Sequence, residues 1–503
     1  MKITRLIPSQ IKASQLPATV VLFLLASPFI VVYYASYVFN PVHASNLLLY
    51  GLLLIADAIS IGTMLSLWIT ILLDVLMEEH HRQIHPGDDR AFLQSSPSLD
   101  VLITVAGEPY DVVKKTVMAA IAMDYLHQTF ILDDGKSEEI QQLAEELGVH
   151  YITRNSREYA KSGNLNHGLK SSKADFFVIF DADQVPEKDF ITKLLPYMAD
   201  ERIALVQSPQ SFVNTHEFIA EGTAQAQEVF YRYICPAKNI SISAFCVGTN
   251  MIFRRRAIDE IGGIYRVGHS EDIWTSRALH EQGWKSIFVN QIVARGQAPN
   301  TIGSFFRQQH RWAKGGLTML FFKNSLKSSK LTIDQRIQYF FANSFYLVGF
   351  SMLVYIMLPI MYLLFGISPL TVGMSTAWLL HWLPFFALYY SLTWLLLGKI
   401  KLSTISTSLA SFYPYSLAFF STVFGTKLNW TPTTTMQEES EVIMNWIWPH
   451  VFLVIITVFA IIVGWFQPID TISTFASTVW AGWNMYLLLV FIASDRKAVR
   501  ESI

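Results

Sequence analysis

The sequence predicts an α/β domain of buried parallel strands inserted between membrane-spanning helices. Three observations carry that expectation. The 503 residues are 52% hydrophobic and 14% aromatic yet 15% charged, too apolar for an ordinary soluble protein and too charged for a bundle lying wholly in lipid. Apolar runs long enough to cross a hydrocarbon core gather towards the two ends of the chain. Between them, from Leu99 to about Gly316, short apolar runs alternate with charged amphipathic stretches, the rhythm of βαβ units.

Residues 1–80 hold two spans, Leu16 to Phe39 and Leu47 to Leu76. The first is longer than the apolar segment of a cleaved leader, so it reads as retained. Residues 81–98 read as a linker, polar and interrupted by Pro86, Gly87 and Pro97. The soluble domain occupies 99–316, and 317–338 connects it along the membrane surface. Spans at Tyr339 to Phe365 and Trp378 to Leu397 fill 339–397. In 398–445 the stretch Leu402 to Phe424, rich in Ser and Thr and broken by Pro414, reads as an amphipathic helix lying in the membrane interface, followed by a loop. Trp446 to Phe466 and Ile472 to Ser494 complete 446–503.

Six spans place both termini on one side. Lys2, Arg5, Lys12, Lys399, Lys401, Lys427, Arg496, Lys497 and Arg500 fall on the side of the soluble domain, while residues 40–46, 366–375 and 467–471 contain no Lys or Arg. The positive-inside bias therefore makes the domain and both termini cytoplasmic, in a multi-pass protein of the plasma, or cell inner, membrane. Tryptophans in the spans, such as Trp382, Trp480 and Trp483, read first as interfacial belts or helix packing, with the lining of a channel left open as the alternative.

A formal net charge of -1 and the lack of a basic stripe exclude nucleic acid as a partner. Cys235 and Cys246 form neither a disulfide framework nor a metal-ligand pattern. The segment His280 to Trp284 lacks the second histidine of a zinc site.

In the soluble domain, Leu99 to Gly107, Thr129 to Gly135, His150 to Arg154 and Asp175 to Pro186 are near-continuous apolar runs, as parallel strands buried on both faces require. Polar residues appear where each run ends, the edge at which open α/β sheets bind ligands. Asp181 and Asp183 close the fourth run. Two neighbouring carboxylates repel unless a cation lies between them, and oxygen-only ligands point to Mg2+ or Mn2+. Asp133 and Asp134 close the second run. Lys161, Gly163, Asn164 and Asn166 open a helix suited to anionic oxygen. Glu271 and Asp272 precede a helix that leads to a strand, and Arg311 offers a bidentate donor for phosphate.

In order, Asp133-Asp134, Asp181-x-Asp183, Ser270-Glu271-Asp272 and Gln308-Gln309-His310-Arg311-Trp312 resemble the motifs of membrane-embedded family 2 glycosyltransferases: cellulose, hyaluronan and chitin synthases and their relatives. The resemblance covers the soluble domain and the arrangement of spans around it. It implies a Rossmann-like, GT-A type cytosolic glycosyltransferase domain, an inverting mechanism, and a UDP-sugar donor joined to a growing polysaccharide acceptor. By that resemblance Asp133, less so Asp134, contacts the uridine. Asp181 and Asp183 hold the nucleotide and its metal, and Lys161 reaches the diphosphate. Asp272, beside Glu271, is the general base. Gln308, Gln309 and Arg311 line the donor pocket, and Trp312 meets the acceptor sugar at a channel mouth.

Softer correspondences follow. Glu108 is kept in "TVAGEP", where relatives carry an aromatic that is absent here. "FCVGTN" (Phe245 to Asn250) and "VQSPQSF" (Val206 to Phe212) resemble segments near the acceptor end. Trp430 and Thr431 stand where relatives place a gating loop over the nucleotide.

UDP-glucose is the first expectation for the donor, with hyaluronan-like and chitin-like products left open. A non-processive transferase onto a lipid-linked sugar and a transport or assembly scaffold with a vestigial transferase domain are the alternatives. Homo-oligomers and accessory export subunits stay open as partners beside the lipid bilayer.

Overall fold

A computed structural model describes residues 16–76, 89–267, 270–371, 375–425 and 439–501. Trp430 and Thr431 lie outside the described residues, as do residues 81–88 of the linker read at 81–98; residues Asp89–Gln94 of that linker form a short helix.

The soluble domain is built on a seven-stranded sheet in the order β3-β2-β1-β4-β7-β6-β8. The strands are β1 (Leu99–Val105), β2 (Gln128–Asp133), β3 (His150–Ile152), β4 (Phe176–Asp181), β6 (Ile203–Gln207), β7 (Met251–Arg254) and β8 (Lys285–Phe288). A separate two-stranded sheet pairs β5 (Val185–Pro186) with β9 (Ala294–Arg295). The four runs expected as parallel strands are the β1–β4 block and are all parallel. β7 is antiparallel to both β4 and β6, so the sheet is mixed.

Alternation along the strands divides the core. Val101, Ile103, Val105, Ile131, Val178 and Phe180 face one side, against Val113, Val117, Ile140 and Leu143. Leu102, Phe130, Leu132, Phe177 and Ile179 face the other, against Leu165, Leu169 and Ile258. Successive side chains of a strand point to opposite faces, so a run apolar at every position needs a layer on both. β3 departs from this: it is the edge strand and His150 is exposed.

Helix ends follow local chemistry. Ser137 caps Glu138–Leu147 by accepting from the Ile140 N–H, and Gly148 in the left-handed conformation ends it. Thr301 and Ser304 form a reciprocal capping box that starts Ile302–Phe322. On that helix Gln308, Arg311 and Trp312 recur at i, i+3 and i+4 and so share a face.

Among the described residues, six helices are long and apolar enough to cross a membrane: Ala18–Val38, Leu47–Leu76, Ile333–Phe365, Leu379–Leu397, Trp446–Phe466 and Thr471–Ser494. The third begins earlier than Tyr339, because Thr332 and Gln335 form a capping box at its start.

The stretch from Leu402 to Phe424 differs from the single helix expected. It forms two helices, Leu402–Ala410 and Phe412–Val423, which meet at Ser411. Pro414 does not break it; it lies in the first turn of the second helix, where a missing N–H costs nothing. The Ser/Thr face is turned to the soluble domain. Ser403 donates to Glu221 Oε2 (2.7 Å) and Thr404 to Gln225 Oε1 (2.7 Å), both on the Phe218–Val229 helix, and Lys401 Nζ donates to Glu221 Oε1 (2.5 Å).

Candidate active site

The register of the β1–β4 block sets the first layer of the site. Val105 pairs with Asp133 and Thr104 with Asp181, so the second- and fourth-strand carboxylates flank the end of β1 at one sheet edge. Thr104 Oγ1 donates to Asp181 Oδ1 (3.3 Å).

Asp133 is fully buried. Its carboxylate accepts from the N–H groups of Gly135 (2.6 Å) and Ser137 (2.9 Å) and from the Tyr151 hydroxyl (2.9 Å). Burial, with Asp133 beside it, raises the Tyr151 hydroxyl above its ordinary range. Asp134 turns elsewhere: Arg154 grips both its oxygens at 2.6 Å and also donates to the carbonyls of Glu158 and Ala160 at 2.7 Å each. The pair thus fastens the turn that leads into the Ala160–Gly168 helix. Arg154 was not singled out from the sequence, although it closes the third run as Asp134 closes the second.

Lys161, in the first turn of that helix, forms an ion pair with Asp181 and donates to the Gly248 carbonyl (2.7 Å). Burial alone lowers its ammonium, but Asp181, Glu271 and Asp272 outweigh burial and hold it above the usual lysine value. Gly248 has a φ of +95°, and a Cβ there would stand 3.3 Å from Asp272 Oδ2, so glycine lets the backbone carry its carbonyl to Lys161 beside that carboxylate.

The expected acceptor-end segments brace this carbonyl. Gln207 accepts from the Val247 N–H (3.1 Å) and donates to the Thr249 carbonyl (2.8 Å), and Gln210 donates to the Val247 carbonyl (3.2 Å). The Cys246 N–H is held by Ser276 (2.7 Å), in keeping with a structural place for that residue.

Asp183 is partly buried, and burial followed by the carboxylates of Asp181 and Glu108 pushes it up to about 7. Glu108 accepts from the Ala106 N–H (2.6 Å), and its own carboxyl is raised first by burial. Asp272, in the first turn of Glu271–Glu281, is pushed up to about 7 by burial and then by Glu271. Arg311 faces Glu271, Asp181 and Asp272, while burial lowers its guanidinium. Gln308 Oε1 is buried without a protein hydrogen-bond partner among the described residues. Gln309 Oε1 accepts from the Tyr415 hydroxyl (2.8 Å), a partner the motif does not disclose.

The arrangement therefore gathers Glu108, Lys161, Asp181, Asp183, Glu271, Asp272 and Arg311 into one electrostatic cluster. No group of three or more His, Cys, Asp or Glu side chains forms a ready metal shell among the described residues. Asp181 and Asp183 nonetheless fit a divalent cation, because Asp183 is held up by like charge in a cluster of oxygen donors. Such a cation needs phosphate and water to complete its shell.

Asp272, Gln309 and Trp312 also line a cavity of about 1220 Å³. It continues among the spans, where Tyr34, Asp57, Trp68, Tyr355 and Trp382 line it. Trp480 and Trp483, expected as belt or packing residues, line it too.

The mixed sheet with its carboxylate edge is a GT-A type α/β core, flanked here by helices long and apolar enough to make a multi-pass membrane protein. Residues 176–398 match glycosyl transferase family group 2. The chain is 31% identical over 291 residues to the UDP-forming cellulose synthase 1 catalytic subunit of Komagataeibacter xylinus, covering 55% of this chain and 39% of that one. It is 30% identical over 279 residues to the UDP-forming cellulose synthase catalytic subunit of Pseudomonas fluorescens, covering 54% and 38%. Cellulose synthase 2 of Novacetimonas hansenii is 27% identical over 431 residues, 80% of this chain and 26% of that protein. The chain is thus similar to cellulose synthases and carries a match to glycosyl transferase family group 2 over residues 176–398, and it spans about a quarter to two fifths of the length of these curated relatives. Among solved structures, the mannosyltransferase PcManGT of Pyrobaculum calidifontis, in complex with GDP-mannose and Mn2+, shares the fold with a TM-score of 0.54 at 15% identity, over 75% of this chain and all of that one.

Proposed function

We propose that the protein is a processive, inverting glycosyltransferase that polymerises a UDP-hexose, UDP-glucose first, into a β-linked polysaccharide and passes the product through its own spans. The observation that carries this reading is that Asp272, a half-buried carboxylate of the cluster, lies on the wall of the same cavity that enters the membrane helices.

In this reading the acceptor hydroxyl approaches from the cavity and gives its proton to Asp272, whose value near 7 suits a general base at neutral pH. Lys161 and Arg311 place positive charge on the departing diphosphate, and Gln308 Oε1 offers an unused acceptor to the donor. A bound Mg2+ or Mn2+, held by Asp181 and Asp183, supplies Lewis-acid stabilisation of the same leaving group. Asp133 serves the nucleoside end through the turn it fixes, and Asp134 acts through Arg154. Trp312 meets the acceptor sugar at the cavity mouth. A single displacement inverts the anomeric carbon, so an α-linked donor gives a β-linked product. The domain at 99–316 and both termini face the cytoplasm.

UDP release by membranes containing wild type and Asp272→Asn tests the chemistry, and sizing the product with linkage-specific hydrolases tests processivity. Equal release by the two proteins removes Asp272 as base. Products one sugar longer than the acceptor favour transfer to a lipid-linked sugar.

A further inference from the structure

We infer that the cavity carries a charge-selective station for uncharged saccharide chains, centred on Asp57, a residue outside the reacting groups. The inference rests on reading the cavity as the product path. It names the class of polymer taken: neutral hexose chains, in preference to chains bearing carboxylates.

Asp57 stands ten residues into Leu47–Leu76, about 15 Å along that span at 1.5 Å per residue. An ionisable side chain at that depth is costly and is retained for a reason. It is fully buried behind the wall, and its oxygens are held by phenols rather than by a cation. Tyr34, from the first span, donates to Oδ2 (3.0 Å), and Tyr355, from the third, donates to Oδ1 (2.6 Å). Each oxygen takes a hydrogen bond from a phenol. The Tyr355 hydroxyl also lies 3.2 Å from Ser60 Oγ. All four residues line the cavity.

Two consequences follow from the hydrogen-bond inventory. Each phenol has one proton, and Asp57 fixes where it points, so the station meets a ligand with oxygen lone pairs and negative charge. Sugar hydroxyls can donate to it. Carboxylates can only accept, and their charge is repelled across a low-dielectric wall. Aromatic faces stand nearby for pyranose rings. Trp382 stacks on Phe386 at 4.6 Å and meets Trp480 at 5.7 Å, and all three line the cavity.

The other charged residues of the wall are Lys238 and Asp272. Lys238 is linked through Gln338 (2.7 Å) to Thr70 (3.1 Å). Thr70 is thirteen residues beyond Asp57 on the same helix, about 20 Å along its axis. The lysine therefore does not neutralise the station. Asp57 is a positioning residue, acting through its field and through two tyrosines.

The test titrates full-length protein in lipid nanodiscs with cellotetraose and with a β-1,4-linked tetramer of glucuronate, read by tryptophan fluorescence. Wild type is expected to bind the neutral tetramer at least about tenfold more tightly. Asp57→Asn, of equal shape without the charge, should bring the two within about threefold, chiefly by tightening the acidic tetramer. Equal binding of the two by wild type overturns the inference, as does an unchanged ratio in Asp57→Asn. The wild-type ratio needs no variant, so a misfolded Asp57→Asn does not shelter the claim. No turnover is read: equal binding leaves polymerisation standing, and absent UDP release defeats polymerisation alone.

Discussion

Lys161 and Asp181 form an ion pair at the carboxylate edge of the sheet, with the Gly248 carbonyl as the lysine's second partner. In the proposed reaction a donor diphosphate would meet a cation already positioned by protein oxygens. Lys161→Met is expected to lower kcat/KM for the UDP-sugar by about 100-fold or more, the scale of removing one preorganised stabiliser of developing charge. Steady-state UDP release checks it, and near-normal kinetics would place the phosphate contact elsewhere.

Asp272 must be deprotonated to act as base, and its carboxyl is raised to about 7. Activity should therefore rise with pH through about 7 and level off above it, the ascending limb of a pH–rate profile. Asp272→Asn should lower the whole profile rather than move it. A profile flat from pH 5 to 8 contradicts the assignment.

Stability should run the opposite way. Asp183 and Asp272 both sit near 7 in the folded protein, above the ordinary carboxylate value of 3.8. Between those values the folded chain binds more protons than the unfolded one, so unfolding free energy falls as pH rises from about 4 to about 7 and is flat beyond. The cation-free protein should melt lower at pH 8 than at pH 5. Asp183→Asn should narrow that difference, and Mn2+ should raise the melting temperature most at pH 8. A melting temperature unmoved by Mn2+ at pH 8 speaks against Asp181 and Asp183 as ligands.

The Asp134 and Arg154 side chains are 6% and 9% exposed. Breaking such a buried pair leaves one charge uncompensated and costs about 3–5 kcal/mol. Asp134→Asn is expected to destabilise the soluble domain by that order and to loosen the turn before Lys161. Denaturant unfolding of the solubilised protein measures it. A nucleotide affinity that collapses while stability holds would instead favour direct contact by Asp134.

Much of this was legible in the residues themselves. β1, β2 and β4 announce themselves because strands covered on both faces are apolar at every position, and their aspartates stand where that requirement ends. Strand direction was not legible: "MIFR" is as apolar read either way, so β7 running antiparallel emerges only from the register. The grip of Arg154 on Asp134 was hidden for a related reason, since it joins the ends of two strands that only the sheet brings together. Asp57 was passed over because one aspartate barely disturbs the hydropathy of a thirty-residue span, and its partners come from other helices. The partners of the Ser/Thr face of Leu402–Ala410 were not legible, because composition identifies a polar face without saying what covers it.

The bonds from Lys401, Ser403 and Thr404 to Glu221 and Gln225 have a mechanical meaning. They clamp the elbow after the fourth span to the Phe218–Val229 helix, denying the soluble domain a swivel at that joint. Under the proposed polymerisation, a domain braced at that joint would advance a chain by small side-chain movements rather than by rocking as a whole.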